Sequence, residues 1–320
     1  MKKAIGIFSC VASLLVPCGL WGQSANPNSV ALMRWYPANT VTQFSAGGSK
    51  PIGVAFDGQN MWVVSNSQQS VSKIRASDGA LLGTFKVGNQ PSSIAFDGAN
   101  MWVPNDLSNT VTKVRCSDGA ILGNYSVGAA TGPDGVVFDG THIWVSLGVT
   151  GYLVKLRVSD GVILTSVYVQ GSGGGLPEGL AFDGANVWVA LASANQVAKV
   201  RVSDGTILGY YNVGAGPEVL AFDGSKIWAA NSGSNTVTAL KASDGTLFGT
   251  FTVGSGPTGL VFDGANIWVS NFLSSTVTKL RASDGKTLNT FTFPGQPGYG
   301  AFDGANVWIA INSSNTVAKM

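Results

Sequence analysis

The sequence is poor in charge, cysteine and histidine. Charged residues make up 11% of the 320 positions, and His142 is the only histidine. The formal net charge of +2 comes entirely from Lys2 and Lys3. These lysines open an apolar run, AIGIFSCVASLLV, that leads into the small-residue stretch PCGLWGQSA. That is the pattern of a secretory signal over residues 1–22, with cleavage expected after Gly22. The run is short for an uncleaved anchor, and no membrane span is expected once the signal is removed. A lipoprotein reading fails because Pro17 stands where a small residue should precede Cys18.

Loss of the signal leaves an expected mature chain, residues 23–320, that is electrically neutral. Without an excess of Lys and Arg there is no phosphate-binding face, which excludes nucleic acid as a partner. Cys10 and Cys18 leave with the signal, so Cys116 stands alone and no internal disulfide can form. Cys116 takes a repeat position that elsewhere holds Ala76, Val158, Val202, Ala242 or Ala282. It is expected to be a small buried hydrophobe, not a reactive thiol.

What the chain has in abundance is glycine, 43 residues, and a phrase that repeats. Pro51, Pro91, Pro133, Pro177, Pro217, Pro257 and Pro297 each precede a version of P-x-G-V/L-A/V-F-D-G-x-N-I-W-V. A polar loop follows, then T-V-T-K-L-R-x-S-D-G and an apolar run ending in Val-Gly. The spacings between these prolines are 40, 42, 44, 40, 40 and 40 residues. Each unit holds four short apolar or β-branched runs separated by Gly, Asn, Asp and Ser, which predicts four strands, and the Asp-Gly pairs suit tight hairpin turns. A period near forty residues with four strands per unit predicts an all-β, seven-bladed β-propeller.

The ends account for the seventh blade. Residues 297–320 begin a unit and stop at TVAKM, while residues 30–50 align with the outer part of a unit. Sharing one blade between the termini closes the ring and removes an exposed sheet edge. Val30–Arg34 and Val317–Met320 compete for the third strand of that blade.

Residues found in every unit are explained by the unit. Seven of the nine tryptophans, one per second strand, are expected to pack between sheets. The Lys-x-Arg pair of the third strand, as in Lys73 and Arg75, reads as solvated or ion-paired. Of the 17 acids, 13 lie in Phe-Asp-Gly or Ser-Asp-Gly turns. Asp106, Asp134, Glu178 and Glu218 remain. The last three sit directly after the proline of three successive units, where the others have Ile52, Ser92, Thr258 and Gly298.

The connection ending at that position enters beside the central channel. Both length insertions, GAATGP before Asp134 and GSGGGLP before Glu178, fall in it. Asn231 and Asn271 end second strands on the same face, and Tyr299 replaces a Gly, Ser or Val one position deeper. Asp134, Glu178, Glu218, Tyr299, Asn231 and Asn271 are therefore the candidate ligand site, at the channel mouth. Asp134, Glu178 and Glu218 are also candidate oxygen ligands for Ca²⁺ or Mg²⁺.

The segment IWAANSGSNTVTALKASDGTLFGTFTVGSGP resembles a YVTN-type β-propeller repeat, with Trp in place of the usual Tyr, and the resemblance spans nearly all of residues 30–320. It implies a bacterial exported or surface-associated propeller. The wider set of NHL-like propellers, to which the resemblance is distant, includes virginiamycin B lyase-type lyases and gluconolactonase-type hydrolases, which work with a metal on one face. No catalytic motif carries over. The lyases are expected to use a histidine base, yet His142 lies in FDGTHIW, a first-hairpin turn on the opposite face. No Ser or Cys nucleophile has a base beside it, and GSGGGLPEG lacks the lysine and helix of a phosphate loop. The expectation is a monomeric, secreted or periplasmic binding module for a protein, cell-wall or small-molecule ligand, or a structural part of an exported assembly. The alternative is a metal-dependent hydrolase or lyase.

Overall fold

In the computed structural model, which describes residues 41–171 and 174–320, the folded unit is Thr42–Lys319. The expected signal and Val30–Arg34 lie outside the described residues. The unit consists of seven four-stranded antiparallel sheets, six of them running outward in chain order from their first strand. It is the seven-bladed propeller that the repeat predicts.

The seventh blade joins both ends of the chain. Its strands are Pro297–Phe302, Val307–Ile311 and Thr316–Lys319, with Thr42–Ser45 outermost and paired antiparallel to Thr316–Lys319. The C-terminal segment therefore supplies the third strand. Phe44 stacks on Trp308 with ring centroids 5.5 Å apart, so the closure is packed as well as hydrogen-bonded.

Each strand's composition matches its depth. Second strands such as Asn60–Ser65 (NMWVVS) are buried throughout, between sheets on both faces. Outermost strands such as Leu81–Lys86 are mostly exposed and turn one aromatic inward, as Phe85 does onto Trp62. The tryptophans fill the space between blades, as expected of them. Each indole also donates to the Phe-Asp-Gly carboxylate five residues earlier; Trp62 to Asp57 measures 2.8 Å and Trp268 to Asp263 2.7 Å. The turn aspartates thus anchor the core aromatic besides shaping the hairpin, whose glycine takes positive φ, +96° at Gly58.

The Lys-x-Arg pair splits in two. The arginines form the expected exposed ion pairs with the aspartate three residues on, as in Arg75–Asp78 at 2.8 Å. The lysines correct the expectation of a solvated residue: Lys73 Nζ lies over the Trp62 ring and donates to the Cys116 carbonyl of the next blade at 2.6 Å. Lys113, Lys155, Lys199 and Lys319 repeat this bond across other blade junctions. Cys116 is buried, as predicted.

Innermost strands meet closely around the channel. A Cβ on Gly179 would stand 2.5 Å from the Glu218 carbonyl oxygen, and one on Gly259 would stand 2.5 Å from that of Gly298. This is why glycine follows Pro-x in four units. In the second blade the first strand shortens to Ala95–Phe96. There Ser92 and Ser93 both donate their hydroxyls to the Asp134 carbonyl of the next blade.

Candidate functional site

In every blade but the second, the residue after the proline belongs to an innermost strand at its entry to the channel. Its backbone is tied to the neighbouring blade: the Glu178 carbonyl accepts from Ser146 Oγ at 2.6 Å, and that of Asp134 from Ser92 Oγ at 2.8 Å. The backbones of Asp134 and Glu178 are thereby fixed, and successive blades bring their carboxyl groups within hydrogen-bonding reach of each other.

Glu178 is strongly perturbed. Burial, then the charge of Asp134, its hydrogen bond to Asp134 and the charges of Glu218 and Asp106 push its carboxyl up to about 9. Burial and the charge of Asp134 also raise Glu218, against a hydrogen bond from Ser232 that lowers it. Burial and Asp134 raise Asp106. Burial, followed by Asp134, Glu218 and Glu178, pushes the Tyr299 phenol well above its ordinary value. All four acids that turn chemistry leaves over, together with Tyr299, therefore form one electrostatic unit. Among the described residues none of these acids has an ion pair with Lys, Arg or His. Without a cation nearby, desolvation and like charge favour the protonated form of Glu178, Glu218 and Asp106.

Of the candidate residues, Asp134 and Tyr299 line one cavity, and Glu178 and Glu218 stand near enough to act on them electrostatically. Asp106 joins them from a loop between the second and third strands, against Gly132 of the next blade, where a Cβ would stand 3.2 Å from Asp106 Oδ1. Asn231 and Asn271 do not join them. Their amides turn outward to the third strand, Asn231 donating to Thr238 Oγ1 and Asn271 to Thr278 Oγ1, each at 2.9 Å. Their Oδ1 atoms have no hydrogen-bond partner. Among the described residues no three His, Cys, Asp or Glu side chains are close enough to hold one metal ion. The three carboxylates meet as charges and proton acceptors, not as a ready-made coordination shell.

A cavity of about 140 Å³ lies in the channel, lined by Asp134, Ser93 and Tyr299 and by apolar residues including Ile94, Leu180 and Leu260. Tyr299 is half-buried and lines this space. A larger cavity of about 710 Å³ lies at the opposite end, between the fourth and fifth blades. A similar groove of about 620 Å³ recurs between the first and second, so these grooves are products of the repeat. His142 sits at that opposite end, its Nδ1 3.7 Å from Asp139 Oδ2.

Several solved structures share the fold. Virginiamycin B lyase from Staphylococcus aureus matches with 16% identity over 88% of this chain and 98% of its own, at a TM-score of 0.76. A streptogramin B lyase matches with 16% identity over 88% and 96%, at 0.75. Kuenenia stuttgartiensis hydrazine synthase matches with 17% identity over 86% and 96%, at 0.74. The likeness is one of fold. No family model matches the sequence, and no curated protein matches it. No helix among the described residues is long and apolar enough to cross a membrane.

Proposed function

We propose that this chain is an exported binding module whose ligand site is the mouth of the propeller channel. One observation carries the reading: the four acids that the repeat does not need act on one another electrostatically at the channel, where Asp134 and Tyr299 line one cavity. Buried carboxylates without partners cost stability, and a fold keeps them where a ligand can repay that cost. The rest of the molecule is repeat, a rigid frame on which these few divergent side chains are displayed.

A hydrolase or lyase of the streptogramin or lactone type has less support. Its metal would need ligands that converge, its base would need to stand at the mouth, and His142 is at the other end. The test is turnover of streptogramins and lactones by the purified protein, with and without Ca²⁺ and Mg²⁺. No enzyme-like rate is expected; a rate abolished by Glu178→Gln would overturn the reading. Export is tested by N-terminal sequencing of the mature protein, which is expected to begin at Gln23; retention of Met1 would contradict it.

A further inference from the structure

We propose that the groove between the fourth and fifth blades, at the end opposite the mouth, binds a flat organic anion, its charged oxygens at Lys241 and its apolar face on Phe248. This site is separate from the channel mouth.

Three departures from the repeat meet in this groove. Asn60, Asn100, Asn186, Asn266 and Asn306 mark a position that the fifth blade fills with Lys226. Arg75, Arg115, Arg157, Arg201 and Arg281 give way there to Lys241, and Leu82, Leu122, Leu164, Leu208 and Leu288 to Phe248. Other blades fold without these three residues, so the fold does not require them. All three line the cavity of about 710 Å³. The groove is a product of the repeat, but its lining here is not. Between the first and second blades the same positions in the wall are Asn100 and Arg115.

The charges of the two lysines are not matched. Lys226 and Lys241 are direct partners on antiparallel strands, where the first and second blades pair Asn with Arg. Like charges facing each other across a sheet weaken it. Lys226 is partly neutralised: its Nζ is 2.9 Å from Asp223 Oδ2, donates to Ser225 Oγ at 3.1 Å and lies 5.0 Å from the centre of the Phe248 ring. Lys241 is not. The arginines at its position pair with the aspartate three residues on, at 2.8 to 3.0 Å. Asp244 accepts only from the N–H and hydroxyl of Thr246, and Lys241 acts on it at longer range. Among the described residues the Lys241 ammonium has no ion pair or hydrogen-bond acceptor. Asp204 accepts from the Thr206 N–H and still pairs with Arg201, so the change to lysine is what frees the charge.

The other polar groups of the wall are engaged. Asp183 accepts from Trp188, Asn186 and the Ala185 N–H. Lys199 donates to the Ala242 and Ser243 carbonyls. The groove therefore presents one free cation beside an aromatic ring that is 39% exposed, with Phe222 and Ala185 adding apolar surface. Its volume is in the range that holds a small organic molecule. An aromatic carboxylate matches it: the ring system stacks on Phe248 and the carboxylate accepts from lysine.

The experiment is calorimetric titration of the whole protein at neutral pH with 2-naphthoate, 2-naphthalenemethanol and inorganic phosphate. Saturable binding of 2-naphthoate is expected. The alcohol keeps the rings without the charge, and phosphate keeps the charge without the rings; each should bind at least about tenfold more weakly. Lys241→Arg and Phe248→Leu restore the residues of other blades, so both should unfold at the temperature of the parent. The first ties the cation to Asp244 and the second removes the ring, and each should weaken 2-naphthoate binding by about tenfold. Equal binding of the alcohol, binding of phosphate alone, or 2-naphthoate binding that neither variant weakens would each overturn the proposal. So would the absence of binding by all three probes.

Discussion

Asp134, on the blade before that of Glu178, is the neighbour whose charge most strongly raises the Glu178 carboxyl. Burial and this like charge together hold a proton on Glu178 at neutral pH. Ser92, Ser93 and Ser146 fix the backbones of the two residues.

Stability should fall as the solution becomes alkaline. Glu178 is raised to about 9 from an ordinary value of 4.5, so between these values the folded state holds a proton that the unfolded chain has lost. That contribution is complete below the unfolded value and disappears as pH rises through the folded one. Glutamine stays neutral and does not titrate. At about pH 8.5, Glu178→Gln should be more stable than the parent by at least about 1.4 kcal/mol, the worth of one pKa unit, with little difference at about pH 4.5. Denaturant unfolding at the two pH values measures this; equal curves at both would contradict it.

Acid should act on a different set of residues. Burial opposes the ionisation of Asp97, but hydrogen bonds from Trp102, Asn100 and Ala99 outweigh it and hold the carboxyl low; Asp57, Asp183, Asp223, Asp263 and Asp303 are likewise lowered. Their contribution is present above the ordinary aspartate value and is lost as pH falls through the folded values. Asp97→Ala also leaves the buried Trp102 N–H without its acceptor, and should cost about 2–3 kcal/mol at neutral pH. A loss below about 0.5 kcal/mol would show that the bond is idle.

Gly179→Ala tests the closeness of the innermost strands. The new methyl would meet the Glu218 backbone carbonyl, which cannot turn aside as a side chain would. A loss of about 2–4 kcal/mol in thermal or chemical unfolding is expected. Parent-like stability would mean that the blades stand farther apart.

Cys116 should be inert. Burial, then the charges of Asp57 and Asp97, push its thiol up to about 12. A thiol reagent at about pH 8 should leave Cys116 unlabelled in the folded protein and label it after denaturation. Cys116→Val should change stability by less than about 1.5 kcal/mol. Rapid labelling of the native protein would contradict the burial.

The repeat was legible because it is periodic. Proline spacing and the half-unit at each end lead directly to seven blades and a shared one, and only the choice between two third strands was left open. The Asp–Trp bonds were not legible, since turn chemistry already explains an aspartate before glycine and nothing local marks a bond five residues on. The same holds for Lys73, whose partner carbonyl is 43 residues away. At the mouth, removing the acids that the repeat requires isolated Asp134, Glu178 and Glu218. Asp106 passed that filter too, but it lies in a different loop register, and only the packing of its loop on Gly132 brings it in. Asn231 and Asn271 share the face but not the direction. The pleat at the end of the second strand sends their amides to third-strand threonines.

The most direct measurement is the titration of the Glu178 side chain by carbon NMR on selectively labelled protein, with Asp134→Asn as a companion. A midpoint near 9 that falls when Asp134 loses its charge is the expected result. A midpoint in the ordinary glutamate range, about 4–5, unmoved by Asp134→Asn, would contradict the coupled acidic mouth on which the proposed function stands.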